Sequence, residues 1–294
     1  MMDNFIIEGV HITHPDRIIK STGILKKQLV AYYHSVSDLI LPYLINRPLV
    51  LYRCPEESDC FFQKHHTKAF DKSVYSIDIR EEGKEKKAPY LMIKNKRGLI
   101  ALIQFGTVEF HAWGSNVKSI EKPDQITFDL DPDISVPWKQ VVDTAFLLKD
   151  IFEQLNLKSF VKTSGGKGLH VVIPVKPTQR FDEVKSFAHA IALFLQNAYP
   201  NQYTDNPLKA KRKGKIFIDY LRNGRGATTV AAYSARAKKD APISTPLSWD
   251  ELPRIKSASQ FTIANIKKRL GRLATDPWED FFHCSQRIPK KLKI

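Results

Sequence analysis

Two aspartates, Asp129 and Asp131, lie one residue apart in the apolar segment QITFDLDPD, residues 125–133. Side chains alternate between the faces of a strand, so both carboxylates project from one face and the intervening apolar residues from the other. Two like charges are costly in a dry environment unless a cation lies beside them. Mg²⁺ and Mn²⁺ prefer carboxylate oxygens, with phosphates and waters completing their shells. The pair predicts a divalent-metal site; the alternative is the N-cap region of the following helix, which we favour for Asp133.

A third carboxylate, Asp219, lies in the apolar segment KIFIDYLRN and shares a strand face with Phe217. Three strand carboxylates that hold two metal ions are the usual apparatus of nucleotidyl transfer. A metal-dependent nuclease would use the same carboxylates on the same polymer. A DNA-end-binding module without catalysis is the alternative outside the enzymes.

A glycine-rich turn in KTSGGKGLHVVI brings Ser164, Lys167 and His170 around a predicted hairpin. Glycine backbone approaches phosphate closely and offers N–H donors. The segment is not a Walker A loop, because Gly168 follows Lys167 where that motif has Ser or Thr. It predicts a phosphate-binding hairpin or, alternatively, a plain β-hairpin with a charged tip.

The chain is strongly basic, with 46 Lys and Arg against 31 Asp and Glu and a formal charge of +15. Such a charge indicates a polyanionic partner, and nucleic acid is preferred over membrane because no long apolar run occurs. The run LKAKRKGK, which includes Arg212, directly precedes the Asp219 strand. Arg236, in YSARAK, could hold a triphosphate bidentately. Arg17 and Lys26 lie near a helix start and form a candidate anion site.

The three cysteines are Cys54, Cys60 and Cys284. An odd and low count predicts free thiols in a reducing cytoplasm. Cys54 and Cys60 precede His65 and His66, but their spacing matches no common zinc module. The start, MMDNFIIEGV, lacks the regions of a signal peptide, so we expect a cytoplasmic, nucleoid-associated protein.

Hydrophobic periodicity predicts one amphipathic helix that ends near Pro42, a strand at PLVLYRCP, a loop at FFQKHH and a turn at Arg97–Gly98. From residue 126 onward the order is strand, helix, hairpin, helix, strand. That order predicts helices on one side of a mainly antiparallel sheet, an α+β arrangement. We expect one compact domain over residues 1–294, with an N-terminal α/β lobe to about residue 120 and a catalytic lobe over about 121–294.

Several motifs together resemble the polymerase domain of bacterial ligase D, in the archaeo-eukaryotic primase superfamily. They are HPDRI, TGILKK, FFQKH, VEFHAW, FDLDPD, TSGGKGLHV, FIDYLRNGRGATTVAAYSARA and SWDEL, and they run nearly end to end. The resemblance implies a primase-type fold with an RRM-like catalytic sheet. It implies a template-directed polymerase that fills gaps and extends DNA ends in non-homologous end joining. Family members tend to prefer ribonucleotides and Mn²⁺.

The resemblance also implies residue roles. Two Mn²⁺ or Mg²⁺ ions would be held by Asp129, Asp131 and Asp219. The incoming NTP or dNTP would contact Ser164, Lys167, His170, His111, Arg53, Arg222, Arg236 and Lys238. The 5′-phosphate of a gapped or overhanging DNA end would be bound by Arg17, Lys26 and His14. Template DNA would contact Phe61, Phe62, Lys64 and Arg212.

Two residues depart from the family's pattern. His14 stands where asparagine is frequent, and Lys238 keeps the positive charge but lacks the bidentate geometry of an arginine guanidinium. The sequence carries no ligase or nuclease domain, so it is an excised domain or a stand-alone polymerase that needs Ku and a separate DNA ligase. A stand-alone primase-polymerase with de novo priming is the alternative function. No membrane partner is expected.

Overall fold

A computed structural model describes residues 5–56 and 59–289. The described helices are α1 Lys26–Ser35, α2 Ser37–Leu44, α3 Lys96–Gln104, α4 Trp138–Gln154, α5 Phe181–Ala198 and α6 Ile266–Leu270. The first eight described strands are β1 Ile6–Ile7, β2 Val10–His11, β3 Ile18–Ile19, β4 Ile24–Leu25, β5 Leu49–Arg53, β6 Phe61–Gln63, β7 Val74–Arg80 and β8 Lys87–Ile93. The remaining ones are β9 Thr107–Trp113, β10 Gln125–Pro132, β11 Phe160–Thr163, β12 Leu169–Pro174, β13 Tyr203–Thr204, β14 Ile216–Asp219, β15 Thr228–Val230 and β16 Pro246–Leu247.

The first large sheet has the strand order β13-β14-β10-β12-β11-β16 and is antiparallel except between β13 and β14. Its apolar face, which includes Ile126, Phe128 and Leu130, packs against α4 and α5 in one buried cluster. The opposite face carries Asp129 and Asp131. The predicted alternation of side chains and the predicted helices on one side of an antiparallel sheet are therefore confirmed.

The second large sheet has the order β15-β9-β5-β8-β7, with β6 paired to β5. Helices α1, α2 and α3 contribute to its core. Strand β15 comes from far along the chain and pairs with β9, so Val230 lies opposite His111. This return of the chain brings the segment that contains Arg236 beside residues of the N-terminal half.

Three predicted elements were wrong. The helix predicted to end near Pro42 is two helices, α1 and α2, that meet at Val36, and Pro42 lies inside α2. Arg97 and Gly98 begin α3 rather than form a turn, because the Asn95 side chain caps the helix at the Gly98 N–H. Residues 61–63, predicted as loop, pair with β5 as strand β6.

The prediction of free thiols at Cys54 and Cys60 was also wrong, because the structure joins them in a disulfide across a separation of six residues. Their Cα atoms lie 4.2 Å apart. Cys284 is a free cysteine. Over the described residues, none of the helices is long and apolar enough to span a membrane.

Candidate active site

Asp129 and Asp219 face each other across neighbouring strands. The antiparallel register of β10 and β14 pairs these two residues directly, and Asp131 lies two positions further on the same face. Burial, with the Asp219 carboxylate as the next cause, raises the pKa of Asp129 to about 7. Burial likewise raises the pKa of Asp219. The fold thus brings together the three carboxylates that the sequence singled out.

Two arginines engage these carboxylates. Arg222 places its Nε 3.0 Å from Asp219 Oδ2 and 3.7 Å from Asp129 Oδ2. Arg212 places its Nη1 2.9 Å from Asp131 Oδ2 while its guanidinium lies over the ring of Phe217. Side chains of the chain itself therefore supply part of the positive charge that the paired aspartates require.

The donor chemistry of the three aspartates fits hard divalent cations. They offer carboxylate oxygens on one sheet face, and their mutual repulsion, visible in the raised pKa of Asp129, would be relieved by a cation. Within the described ranges, however, no group of three or more Asp, Glu, His or Cys side chains is arranged to hold a metal ion. In this arrangement Arg212 contacts Asp131, and Arg222 contacts Asp219 and Asp129.

Asp133 does not cap α4, contrary to expectation. Its carboxylate accepts hydrogen bonds from Ser135 and from the Gly214 N–H, whereas Pro137 occupies the N-cap position. Asp133 therefore stabilises the turn after β10 and ties it to the basic segment before β14.

The glycine hairpin is rigid and buried except at its tip. Ser164 Oγ accepts hydrogen bonds from the Gly166 and Gly168 N–H groups, and Lys167 is exposed. A Cβ on Gly168 would lie 1.7 Å from the Leu130 carbonyl oxygen, so only glycine lets the hairpin approach β10 this closely. The hairpin is thereby fixed against the strand that carries Asp129 and Asp131.

Glu109 connects the hairpin to the second sheet, and sequence analysis missed it. Its buried carboxylate accepts from Arg236 Nε at 2.9 Å, from His111 Nε2 at 2.8 Å and from the Ala237 N–H at 2.8 Å. Arg236 Nη1 also donates to the Ser164 carbonyl at 2.6 Å. Glu109 therefore orients two predicted nucleotide-binding residues together, and the only sequence signal was its place in the VEFHAW motif.

Lys162 is the second residue that sequence analysis missed. Its ammonium nitrogen is buried and lies 3.0 Å from His170 Nδ1, while His170 Nε2 lies 3.4 Å from Asp129 Oδ1. His170, which the sequence predicts to contact the nucleotide, thus lies beside the Asp129 carboxylate. A lysine in an apolar strand gives no signal in a single sequence.

Lys238 and Arg53 differ in their relation to this site. Lys238 Nζ lies 3.2 Å from the position that a Cβ on Gly166 would take, so it faces the hairpin. Arg53 instead donates to the Phe105 carbonyl and to Gln63, at the end of β5, and burial lowers its pKa to about 10. These contacts hold Arg53 at the end of β5.

The residues predicted to bind a 5′-phosphate lie on the N-terminal side of α1. Lys26 Nζ donates to the Thr13 carbonyl and to Gln104, and burial, followed by the nearby charge of Arg17, lowers the pKa of Lys26 to about 8. Arg17 reaches the Cys54 carbonyl at 3.4 Å with both terminal nitrogens. His14 is exposed and has a left-handed φ of 49°.

The residues predicted to contact template DNA are dispersed. Phe61 and Phe62 are exposed on β6, and Phe62 packs edge-on against His111. Lys64 is paired with the buried Glu81, and Arg212 is paired with Asp131. Both phenylalanines present exposed ring surface on which a base can stack.

The fold is that of a solved polymerase domain. The "Polymerase Domain from Mycobacterium tuberculosis Ligase D in complex with DNA" matches with a TM-score of 0.81 at 25% identity, over 90% of this chain and 94% of that one. This match confirms the mixed α/β, primase-type fold that the motifs implied.

Residues 25–278 match the family model of the "LigD, primase-polymerase domain". The multifunctional non-homologous end joining protein LigD of Pseudomonas aeruginosa is 37% identical over 97% of this chain, and the bifunctional LigD of Bacillus subtilis is 29% identical over 95%. The chain belongs to the LigD primase-polymerase domain family. It spans 34% of the length of the first relative and 45% of the second.

Proposed function

We propose that this chain is a template-directed nucleotidyltransferase that fills gaps and extends DNA ends during non-homologous end joining. The observation that carries the proposal is the direct pairing of Asp129 with Asp219 beside a hairpin that Arg236 clamps. Family membership and the names of the relatives, which are end-joining proteins, support it. The DNA in the solved polymerase domain of Mycobacterium tuberculosis supports DNA as the partner.

In this proposal Asp129, Asp131 and Asp219 hold two Mn²⁺ or Mg²⁺ ions. Such ions supply activation of the primer 3′-hydroxyl and neutralise charge on the phosphoryl oxygens. The chain's own groups bind and orient the nucleotide: the hairpin N–H groups, Lys167, His170 and Arg236 contact the triphosphate. Arg212 and Arg222 release the carboxylates and are then free to meet substrate phosphates. We further propose a preference for ribonucleotides, and Ku and a separate DNA ligase as partners.

A nuclease would need the carboxylates but no triphosphate site. The glycine hairpin and the Glu109-oriented Arg236 therefore favour transfer over hydrolysis. De novo priming uses the same chemistry as end filling and is the second candidate function. Nucleotide consumption on a gapped duplex, compared with an unprimed single strand, distinguishes the two.

The test is primer extension on a gapped duplex with NTPs or dNTPs in Mn²⁺, using Asp129→Asn and Asp219→Asn. Both variants should lose extension by at least ~10³-fold, because each removes an anionic oxygen ligand, while DNA affinity at fixed salt is kept. Asp143→Asn, which removes an exposed carboxylate of α4, is the control and should extend at the wild-type rate. Extension by Asp129→Asn at the rate of this control would refute the site.

A further inference from the structure

Four ionisable residues form a row across the first sheet. The strand registers pair Lys162 with His170, His170 with Asp129, and Asp129 with Asp219. The row therefore crosses β11, β12, β10 and β14 on the face opposite α4 and α5. Its carboxylate end belongs to the proposed reaction centre, and its lysine end has no assigned role.

We propose that Lys162 is a positioning residue: its ammonium group donates to Nδ1 of His170 and so keeps the ring proton on Nε2, the nitrogen that faces the carboxylates. The catalytic consequence rests on the function proposed above. The proton position itself does not, and it can be measured without any reaction.

The surroundings of Lys162 use all three of its N–H donors. The Val230 carbonyl lies 3.0 Å from Nζ and can only accept, and Ser244 Oγ lies 2.7 Å from Nζ. Ser244 gives its own hydroxyl proton to the Thr163 carbonyl, so it accepts from Lys162. The third contact is His170 Nδ1 at 3.0 Å. Burial lowers the pKa of Lys162 to about 7, so below pH 7 Lys162 is an ammonium with three acceptors, and Nδ1 is then the acceptor nitrogen of the ring.

The other side of the ring is compatible with the same tautomer. His170 Nε2 lies 3.4 Å from Asp129 Oδ1, an oxygen that accepts when the carboxylate is ionised. Because Lys162 donates to Nδ1, the ring proton lies on Nε2.

A fixed Nε2–H donor suits the proposed chemistry. It presents one hydrogen toward the place where the oxygens of a triphosphate and the carboxylates meet, without adding a second positive charge to the ring. The opposite tautomer would present a lone pair there and repel phosphate oxygens. Lys162 thus acts through His170 and does not itself touch the nucleotide.

The decisive measurement is ¹⁵N NMR of the histidine ring nitrogens in the full chain at pH 6, where Lys162 is charged, with the His170→Gln spectrum identifying the His170 signals. In the wild type, Nδ1 should resonate as an unprotonated nitrogen and Nε2 as a protonated one. Lys162→Met removes the donors at similar length, and Nδ1 should then take up a proton. Ser244→Ala is the matched control, because it removes one acceptor of Lys162 without touching His170, and should leave the His170 signals unchanged.

Kinetics separate positioning from mere packing. Lys162→Met should lower kcat/KM for the nucleotide on the order of 10- to 100-fold, the effect of one hydrogen bond to a charged group. In a His170→Gln background the same change should have almost no further effect.

A protonated Nδ1 in the wild type, an unchanged Nδ1 in Lys162→Met, or additive kinetic losses would each overturn the inference. Should Lys162→Met not fold, the wild-type spectrum and Ser244→Ala still decide. Failure of the proposed polymerase function would instead appear as extension that survives Asp129→Asn.

Discussion

At the scale of the residue, the site stores an unfavourable interaction. Burial and the facing Asp219 carboxylate both disfavour the ionised form of Asp129, and together they raise its pKa to about 7. Arg222 offsets part of this cost, and a bound cation would offset more. The carboxylate pair is therefore retained at the expense of the stability of the ligand-free protein.

Asp129→Asn should consequently stabilise the protein in the presence of a chelator, in a pH-dependent way. A folded pKa above the unfolded one means that the folded state binds more protons between about pH 4 and pH 7, so wild-type stability falls as pH rises through that window. A shift from 3.8 to about 7 corresponds to at most ~4 kcal/mol, and the partial exposure of the side chain reduces it. We expect the variant to be ~1–3 kcal/mol more stable than wild type at pH 8 and nearly equal to it at pH 4. Urea unfolding at both pH values measures this, with Asp143→Asn as control; an equal difference at both pH values would contradict the pKa.

The sequence predicts the three aspartates because period-2 alternation places carboxylates opposite apolar residues, a purely local rule. It does not predict Glu109 and Lys162. Both are charged residues within apolar strands, and their burial depends on partners far along the chain, namely Arg236 and Ser244. Long-range pairing of this kind leaves no local periodicity. Residues that position other side chains of the site therefore cannot be predicted from a single sequence.

At the scale of the element, strand register determines which side chains of the site are neighbours. The row from Lys162 to Asp219 exists only because β11, β12, β10 and β14 pair without a slip, since a shift by one residue would turn each side chain to the other face. Gly168 fixes this register, because the hairpin backbone lies against the Leu130 carbonyl there. A substitution at the hairpin therefore tests the positioning of residues that it does not touch.

Gly168→Ala should destabilise the protein by ~3 kcal/mol or more, because a Cβ at 1.7 Å from a backbone oxygen forces β10 and β12 apart. It should also abolish primer extension, since Asp129 and His170 are neighbours across those strands. Gly271→Ala is the control: its Cβ would meet its nearest atom at 3.5 Å and its φ is −69°. The control should change the free energy of unfolding by less than ~0.5 kcal/mol. Equal urea midpoints for the two variants would show that the strands can separate without cost.

Element boundaries were predictable where periodicity is strong. They were predicted wrongly where one residue type, such as glycine, serves either a turn or close packing. Strands β10 and β12 and helices α4 and α5 follow from their patterns. Gly98 indicated a turn, yet the structure uses it inside α3, where a Cβ would lie 2.8 Å from the Ser73 carbonyl oxygen. Glycine there serves close packing, and no local rule distinguishes that use from a turn.

At the scale of the whole molecule, the charge of +15 implies DNA affinity that falls steeply with salt, because bound phosphates displace condensed counterions. That electrostatic contribution to DNA affinity does not depend on the chemistry of a DNA end. Recognition of an end needs a localised cluster, and Arg17 with Lys26 is the cluster that the sequence predicts for it. Burial and the neighbouring Arg17 lower the pKa of Lys26 to about 8, by more than the charge of Glu56 raises it.

A gapped duplex with a recessed 5′-phosphate should therefore bind about tenfold more tightly at pH 7 than the same duplex without it, the value of one well-placed charged contact. The advantage should shrink above pH 8, because Lys26 then loses its proton. Arg17→Gln should remove most of the advantage. Lys20→Gln, an exposed lysine of the same segment, should weaken both duplexes equally and keep their ratio. Binding of the two duplexes, titrated at fixed salt from pH 6.5 to pH 9, is the measurement. A ratio that Arg17→Gln leaves intact would place end recognition elsewhere on this basic surface.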